Sequence, residues 1–284
     1  MAIVIENLRH TYAVGSTYRH DALVDVSLRI NDGESVGIIG HTGSGKTTLV
    51  RHINGLLMAT SGSVSVDGIE INKNNVKDIR KKVGLVFQYP EHQLFEETVF
   101  MDIGYGLFKQ GYERKFVEEK IIETIDIIGL DKSLLEKSPF RLSGGEKRKV
   151  AIAGVLAMKP NVLILDEPAA GLDPKGRDEI FEAVVKYKKE NNATIILVSH
   201  SMEDLTRYVD RIVVLNKGRI EMDGEVADVF RNDAILKKIG LSVPHITRFM
   251  RLLQEKIPDL NSDVFTVEAA KEEILSFVSK RAMQ

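Results

Sequence analysis

The feature that most constrains the fold of this 284-residue chain is a glycine-rich segment that directly follows a short apolar run. Residues 36–39 read as a buried strand and lead into the sequence GHTGSGKTT at 40–48, which fits the pattern G-x-x-x-x-G-K-[ST]. Residues 47–54 then read as a helix. A strand, a glycine-rich loop and a helix in this order predict a loop that wraps a phosphate group, because glycines let successive backbone N–H groups and the helix N-terminus point at one anion.

The side chains of this segment support the same interpretation. Lys46 adds a mobile positive charge to the phosphate site, and Thr47 offers a hydroxyl oxygen to Mg²⁺. An ordinary glycine-rich turn is the alternative, and it does not account for the full match with its flanking strand and helix. We therefore predict a nucleotide-binding loop made of Gly40, His41, Thr42, Gly43, Ser44, Gly45, Lys46, Thr47 and Thr48.

Composition excludes several other classes of protein. The 39 Lys and Arg residues nearly balance the 41 Asp and Glu residues, so net charge gives no reason to expect a nucleic-acid partner. The absence of cysteine excludes disulfides, thiolate catalysis and cysteine-ligated metals. The longest apolar runs, such as 162–165 and 195–198, are far shorter than the ~20 residues of a membrane helix, and residues 1–7 do not resemble a secretory signal. We expect a protein that stays inside the cell or on the inner surface of its membrane.

Short β-like runs alternate with helical patterns along the chain, which predicts an α/β fold with a largely parallel central sheet. The early strand-like runs at 3–5, 24–30, 36–39 and 64–66, with glycine-containing turns between them, predict an antiparallel patch beside this sheet. The fold class is therefore α/β, with a P-loop NTPase core, a parallel sheet and an N-terminal antiparallel β patch.

Two further regions have helical patterns. Residues 97–137 have apolar residues at helical spacing and a helix stop at Gly129, which predicts a helical insert. Apolar residues recur at helical spacing through 246–257, and Thr266 is an N-cap candidate for a second helix. These last segments predict a C-terminal helical appendix.

A second candidate site begins where the apolar run 162–165 ends in two acids. Neighbouring strand residues point in opposite directions, so Asp166 can face a metal ion beside Thr47 while Glu167 orients or deprotonates a water. Acids at a strand end also cap helices, and that alternative would be as good if the phosphate loop were absent.

A third candidate site, with the sequence LSGGE, precedes a helical run that starts at residue 147. Its serine and glycines would present a hydroxyl and bare N–H groups at the positive end of a helix. One chain thus has two phosphate cradles for one triphosphate, which suggests a site shared between two chains. Alone, the segment would be read as a helix cap. Its residues are Leu142, Ser143, Gly144, Gly145 and Glu146.

Together, these segments resemble the nucleotide-binding subunit of an ATP-binding cassette (ABC) transporter. Residues 40–47 match the Walker A motif of that family, 142–146 its signature motif and 163–167 its Walker B motif. Glu146 departs from the glutamine that is more frequent in the signature. The resemblance implies a cassette over residues 1–230, with the insert at about 94–140, and a C-terminal helical extension over 231–284.

Single residues extend the resemblance. Gln88 is similar to the Q-loop glutamine, Asp173 lies in a segment that resembles the D-loop, and His200 resembles the switch histidine. Tyr12 stands where the family stacks an aromatic ring on adenine, although Tyr18 lies nearby.

The resemblance implies a mechanism. Catalytic roles fall to Glu167, His200 and Gln88, and Mg²⁺ ligation falls to Thr47, Gln88 and Asp166. The signature would contact the ATP of a partner subunit. ATP and Mg²⁺ are therefore the expected ligands, and the expected reaction converts ATP and water to ADP and phosphate.

A narrower resemblance points to the ATPase component of energy-coupling factor transporters. It rests on the loop start His41-Thr42, on the sequence PEHQLFEETV at 90–99 and on residues 150–157. The loop start is similar to the second of two ATPase types that often pair in these importers of vitamins or transition-metal ions. The resemblance implies a peripheral protein on the cytoplasmic face of the membrane. Its partners would be a second ABC ATPase subunit (identical or different), a transmembrane coupling subunit and a membrane-embedded substrate-binding subunit.

Two surfaces and one alternative function remain open. Residues 93–108 are apolar and aromatic and include Glu97 and Asp102, so they are expected to form a groove for the membrane partner. The apolar faces of the C-terminal extension pack either on their own cassette or on a second subunit. The alternative function is an ABC-type ATPase without coupling to transport. ATPases of DNA maintenance typically have a long coiled coil between the Walker A and signature motifs, and no sustained heptads occur here between Thr47 and Ser143. Iron–sulfur assembly stays open as an alternative.

Overall fold

The computed structural model describes residues 3–15 and 17–282, which form two β-sheets surrounded by helices. The four-stranded sheet has the order β2-β1-β4-β5, and the six-stranded sheet has the order β10-β9-β3-β8-β7-β6. The strands are β1 (Ile3–Tyr12), β2 (His20–Ile30), β3 (Ser35–Ile39), β4 (Ser61–Val66), β5 (Ile69–Glu70), β6 (Val83–Val86), β7 (Val162–Asp166), β8 (Thr194–Val198), β9 (Arg211–Asn216) and β10 (Arg219–Glu225).

The six-stranded sheet is parallel except at one edge. Strands β6, β7, β8, β3 and β9 run in the same direction, and β10 pairs with β9 in the opposite direction. All residues of β3, β7 and β8 are buried, as in a sheet covered on both faces. The predicted α/β fold with a parallel sheet is confirmed.

The antiparallel patch is also confirmed, with one correction. Strand β1 pairs antiparallel with β2 and with β4, and its pairing extends well beyond the predicted residues 3–5. Residues 36–39, which the sequence grouped with this patch, belong to β3 at the centre of the parallel sheet. A short and wholly apolar run fits either sheet, so sequence alone did not separate them.

Helices cover both faces of the parallel sheet. They include the helix after the phosphate loop and two helices of the predicted insert, whereas the last two helices of the chain form an apolar cluster of their own. The helices are α1 (Lys46–Ile53), α2 (Val76–Lys82), α3 (Val99–Lys109), α4 (Arg114–Ile128), α5 (Gly144–Leu156), α6 (Pro174–Asn191), α7 (Met202–Tyr208), α8 (Val226–Arg231), α9 (Asp233–Lys238), α10 (His245–Gln254) and α11 (Val267–Ala282).

The alternation of side chains along the strands divides the core into two layers. In β7, Leu163 and Leu165 pack into a cluster with the helical insert, while Val162 and Ile164 pack into a cluster with the antiparallel sheet and α1. Successive strand residues point to opposite faces, so one apolar run supplies both clusters. This double burial fixes the strand and therefore the acids at its end.

The helix stop predicted at Gly129 is confirmed, and the structure adds a cap at the start of the insert. Gly129 is the residue after α4 and has a φ of 67°, a left-handed conformation that glycine adopts without strain. The Thr98 side chain caps α3 by accepting a hydrogen bond from the N–H of Met101. The insert is thus a pair of capped helices packed on α5.

The C-terminal extension has a small core of its own. Residues of α10, α11 and the segment between them form a separate apolar cluster around Met250 and Ala270. Thr266 accepts a hydrogen bond from the N–H of Ala269, as an N-cap does. Leu236 and Val243 lie beyond the predicted boundary at residue 230 and yet pack into the main core, and the division into domains stays a prediction. No helix within residues 3–15 and 17–282 is long and apolar enough to span a membrane.

Candidate active site

The predicted site segments meet at one edge of the parallel sheet. Gly40 directly follows β3, Asp166 ends β7 and Glu167 directly follows it. His200 and Gln88 are each the second residue after their strands, β8 and β6. These strands are neighbours in the order β3-β8-β7-β6. Because the carboxyl ends of parallel strands share one edge, the fold brings together residues that are up to 160 positions apart in sequence.

The glycine-rich loop forms a closed cradle around its lysine. The Lys46 ammonium is buried and donates hydrogen bonds to the carbonyls of Gly40 at 2.7 Å and His41 at 3.1 Å. Burial lowers its pKa, against the opposing effect of the nearby carboxylates. Within the described part of the chain, the buried hydroxyl of Ser44 has no hydrogen-bond partner. A buried ammonium and an unpaired hydroxyl in one loop suit an anion.

Two glycines of this loop cannot be replaced without strain. Gly45 caps α1 with a φ of 107°, and a Cβ there would lie 2.7 Å from the carbonyl oxygen of Ala22. A Cβ on Gly40 would lie 2.3 Å from the carbonyl oxygen of Leu215. The loop therefore keeps its shape only because its backbone touches neighbouring backbone directly.

Thr47 and Asp166 lie side by side at the start of α1. The Thr47 hydroxyl donates to Oδ2 of Asp166 at 3.3 Å, and burial raises the pKa of this carboxyl. Among the described residues, no three His, Cys, Asp or Glu side chains cluster as a metal site. One carboxylate and one hydroxyl fit Mg²⁺, which usually takes its other ligands from phosphates and water.

Glu167 and His200 form the next part of the edge. The backbone of Glu167 has a φ of 52°, and its N–H donates to the carbonyl of Val198 at 3.0 Å, which ties it to the strand that carries His200. Burial, and after it the charge of Asp166, raise the pKa of the Glu167 carboxyl from 4.5 to about 7. Burial lowers the pKa of the His200 imidazole. A carboxyl of this kind can accept a proton near neutral pH.

Gln88 and Tyr12 lie at the two flanks of the site. Gln88 is exposed two residues after β6, and in the described structure its side chain makes no hydrogen bond. The Tyr12 hydroxyl lies 3.3 Å from Oγ1 of Thr48 in α1, whereas Tyr18 is 85% exposed. The contact with Thr48 favours Tyr12 over Tyr18 as the aromatic residue of the nucleotide site.

Two buried histidines lie beside Tyr12, and one of them packs against its ring. The sequence analysis did not predict this pair. Nε2 of His52 lies 3.1 Å from Nδ1 of His10, and the His10 ring meets the Tyr12 ring edge-on at 4.5 Å. Nδ1 of His52 donates to the carbonyl of Thr48 at 2.7 Å. Burial lowers the pKa of His52. The two residues come from β1 and α1, so no local sequence pattern links them.

The signature segment begins α5 with a reciprocal cap. The Ser143 hydroxyl donates to Oε2 of Glu146 at 2.7 Å, the N–H of Ser143 donates to the same oxygen at 2.8 Å, and the N–H of Glu146 donates to the serine oxygen at 3.3 Å. The sequence predicted a hydroxyl available to an anion, and the structure pairs it with Glu146. The S-x-x-E spacing of a capping box was the signal that could have predicted this pairing.

The signature faces the D-loop across an open cleft of about 250 Å³. Asp173 caps α6 by accepting a hydrogen bond from the N–H of Gly176 at 3.1 Å. The described residues that line the cleft come from 143–149 and 172–180, and none comes from the loop at 40–48. The second predicted phosphate cradle is therefore separate from the first.

Comparisons with known proteins give the following findings. Residues 23–170 match the model of the ABC transporter family. The chain is 54% identical over 280 residues to the energy-coupling factor transporter ATP-binding protein EcfA2 of Acetivibrio thermocellus, covering 99% of this chain and 100% of the relative. It is 51% identical to the EcfA2 protein of Caldanaerobacter subterraneus, with 98% of each chain covered.

Two solved structures extend these findings. CbiO1 of Clostridium perfringens, described as part of the ABC transporter complex cbiONQ, has a TM-score of 0.75 and 33% identity, covering 89% of this chain and 98% of that one. The ATP-binding cassette MJ0796, in a dimeric post-hydrolysis state bound to ADP and phosphate, has a TM-score of 0.71 and 29% identity. The comparison with MJ0796 covers 79% of this chain and 98% of that one.

Proposed function

The chain belongs to the ABC transporter family, among the ATP-binding proteins of energy-coupling factor transporters, and we propose that its ATP hydrolysis drives an importer through the residues described above. One observation carries the proposal: the phosphate loop, the Thr47–Asp166 pair and the Glu167–His200 pair share one edge of the parallel sheet. This edge has the charges and acceptors that phosphoryl transfer to water needs.

The phosphate loop binds the ATP phosphates. The ammonium of Lys46 exchanges its bonds to the loop carbonyls for bonds to phosphate oxygens, and the N–H groups at the start of α1 donate to the same anion. The unpaired hydroxyl of Ser44 gains an acceptor. Tyr12 stacks on the adenine ring, supported by its bond to Thr48.

Thr47, Asp166 and Gln88 are the proposed ligands of Mg²⁺. The first two already lie within hydrogen-bond distance, and Gln88 lies on the neighbouring strand end with a free amide. When bound, the ion neutralises charge on the transferred phosphate.

Glu167 accepts a proton from the attacking water. Its Oε1 atom is the free acceptor, because no described donor lies within hydrogen-bond distance of it. His200 lies beside this atom and donates to the γ-phosphate, which holds water, carboxylate and phosphate in line. Gln88 is proposed to orient the same water.

A second ATPase subunit completes each site. Ser143 and Gly145 lie at the positive end of α5 and line a cleft to which the loop at 40–48 contributes no residue, which suits contact with the γ-phosphate of a partner. On that contact the Ser143 hydroxyl would exchange its bond to Glu146 for a bond to a phosphate oxygen. The partner is either a second copy of this chain or a related ATPase. Closure of the two subunits on ATP and their opening after hydrolysis supply the mechanical step.

The helical insert transmits this step to a transmembrane coupling subunit. Phe95 is 58% exposed, meets the ring of Tyr105 edge-on at 4.9 Å, and lies close in sequence to the exposed Glu97. We name Phe95, Glu97 and Tyr105 the insert surface. Exposed aromatic rings beside an acid suit a partner helix with apolar and basic residues.

Docking on the insert surface would hold the protein at the cytoplasmic face of the membrane. The coupling subunit would also hold a membrane-embedded subunit that binds the substrate, a vitamin or a transition-metal ion. No residue of this chain is required to contact that substrate.

Coexpression with a transmembrane coupling subunit and a second ATPase tests the proposal. We expect the three chains to copurify from membranes and to hydrolyse ATP in the presence of Mg²⁺. The variant Lys46→Ala should copurify equally and lose ATP binding. Hydrolysis without membrane association would instead favour an ATPase that is not coupled to transport, such as one for iron–sulfur assembly.

A further inference from the structure

An ion pair between a partly exposed arginine and a buried aspartate joins the helix that follows the D-loop to the helix that follows His200. The guanidinium of Arg177 in α6 donates from Nε to Oδ1 of Asp204 in α7 at 2.8 Å and from Nη2 to Oδ2 at 2.5 Å. Asp204 is only 5% exposed. A bidentate contact of this kind fixes the orientation of both side chains, which a single ammonium would not do.

Asp204 also holds the two residues that flank His200. The Ser199 hydroxyl donates to Oδ2 of Asp204 at 3.4 Å, and the N–H of Asp204 donates to the Ser201 hydroxyl at 3.2 Å. The His200 backbone therefore lies between two serines that are bonded to one aspartate. A shift of Asp204 would move both serines and His200 with them.

The other end of the pair leads to the D-loop. Arg177 lies in the first turn of α6, and its N–H donates to the carbonyl of Asp173 at 3.0 Å. Asp173 in turn borders the open cleft opposite Ser143. Because one helical turn links Asp173 to Arg177, a partner subunit that displaces the D-loop would also move Arg177.

The pair is not needed merely to hold α6 against α7. The ring of Phe181 stacks on that of Tyr208 at 4.3 Å between the same two helices. A second ion pair, Arg207 with Asp178, also joins them at 3.5 Å, and it is about half exposed on both sides. These contacts would remain if Arg177 were replaced.

We propose that Arg177 and Asp204 are positioning residues that set the place of His200 against Glu167 and couple it to the D-loop. The inference rests on the proposed function, because it takes His200 to act on the γ-phosphate. Neither residue touches the reacting atoms, and both act through the segment 199–201. A partner subunit would contact the D-loop at the cleft. Through the ion pair, that contact would change the position of His200 at the hydrolysis site.

Steady-state hydrolysis by the assembled complex tests the proposal. Arg177→Met should lower kcat by about 10-fold or more and leave KM within about 2-fold, since ATP binding does not use His200. Arg177→Lys keeps the charge without the bidentate contact and should recover only part of kcat. The matched control is Arg207→Met, which breaks the exposed pair between the same helices and should leave kcat unchanged.

A double-mutant cycle with His200→Ala separates positioning from general damage. If Arg177 acts through His200, Arg177→Met should have no further effect on kcat when His200 is already Ala. An equal loss in both backgrounds would overturn the inference and leave the proposed function intact. A normal kcat for His200→Ala alone would overturn the proposed role of His200 and the inference together.

A measurement independent of activity distinguishes a displaced His200 from a general loss of stability. In histidine-labelled protein, the imidazole NMR signals of His200 should shift in Arg177→Met and not in Arg207→Met. Asp204→Asn serves as the second variant, because it keeps the shape of the side chain and removes the charge. Unchanged His200 signals in both Arg177→Met and Asp204→Asn would overturn the inference.

Discussion

Nε2 of His200 lies 3.6 Å from Oε1 of Glu167, a buried carboxylate oxygen with no hydrogen-bond partner in the described part of the chain. Burial lowers the pKa of the imidazole and raises the pKa of the carboxyl to about 7, so the two groups do not form a fixed ion pair at neutral pH. The carboxylate oxygen thus stays available to a water molecule. The proposed role of Glu167 as the base rests on this relationship.

Glu167→Gln is expected to retain ATP binding and to lose hydrolysis by about 10²-fold or more, as for a lost general base. The amide keeps the shape of the side chain and cannot accept the proton. Single-turnover hydrolysis and equilibrium binding of ATP check the two halves of this prediction. Hydrolysis at the wild-type rate would exclude Glu167 as the base.

The same variant should change the pH dependence of stability. The folded protein raises the pKa of Glu167 from 4.5 to about 7, so the folded state binds this proton more tightly than the unfolded state. The contribution of the protonated carboxyl to stability is fully present below pH 4.5 and is lost as pH rises to about 7. Above that pH the buried charge costs up to about 3 kcal/mol, at 1.4 kcal/mol per pKa unit.

Glu167→Gln should therefore raise the Tm of the nucleotide-free protein at pH 8 and have little effect at pH 4.5. Thermal unfolding at the two pH values measures the difference. An equal change in Tm at both pH values would show that burial of the charge is not its cause.

Ser143→Arg should abolish hydrolysis by the ATPase dimer and leave ATP binding to the isolated subunit nearly unchanged. The signature lines a cleft without residues of its own phosphate loop, so the bulky cation meets only the nucleotide of the partner. The control Ser133→Arg places the same side chain at an exposed serine of the insert. A large loss of ATP affinity in the isolated Ser143→Arg subunit would contradict completion by a partner.

The insert surface should be needed for membrane docking. Glu97→Lys combined with Phe95→Ser is expected to release the protein from the coupling subunit and to leave its basal hydrolysis near normal. The control Glu118→Lys reverses an exposed acid of α4. Copurification of the double variant at the wild-type yield would place the docking surface elsewhere.

Asp102 is unsuitable for this test, which corrects its expected role as a docking acid. Its carboxylate accepts hydrogen bonds from the N–H groups of Phe95 and Glu96, both at 3.3 Å. Burial raises its pKa. Asp102→Lys would disorganise the loop that presents Phe95, so a loss of docking would not identify a contact.

The C-terminal extension should mediate association without nucleotide. Its helices bury one apolar stripe in their own small core and leave Phe249, Leu252, Leu275 and Val278 about half exposed or more. Phe249→Ser with Leu252→Ser should reduce the mass of the ATP-free protein from dimer to monomer in light scattering. An unchanged mass would mean that the extension does not mediate dimerisation and packs on its own cassette.

Local patterns explain what the sequence predicted well. The phosphate loop, the acids at 166–167 and the helix stop at Gly129 depend on short segments whose residue types dictate one backbone geometry. The order of these segments along the chain then indicated the family. Their meeting at one edge follows from the parallel sheet.

Long-range pairs explain what the sequence did not predict. His10 with His52 and Arg177 with Asp204 join different elements, and neither member of a pair is unusual in its own segment. The bonds of Asp102 depend on how a loop folds back over α3. Such contacts follow from tertiary packing, which no spacing rule within one segment encodes.

The position of β8 has a consequence for the synthesis of the protein. In the described part of the chain, β3 pairs with β8 and β9, which lie more than 150 residues later in the sequence. On the ribosome, the phosphate loop is therefore made early and remains without its neighbouring strands until residue 216 has emerged. During that interval the apolar residues of β3 have no neighbouring strand, so the parallel sheet can form around the phosphate loop only late in synthesis.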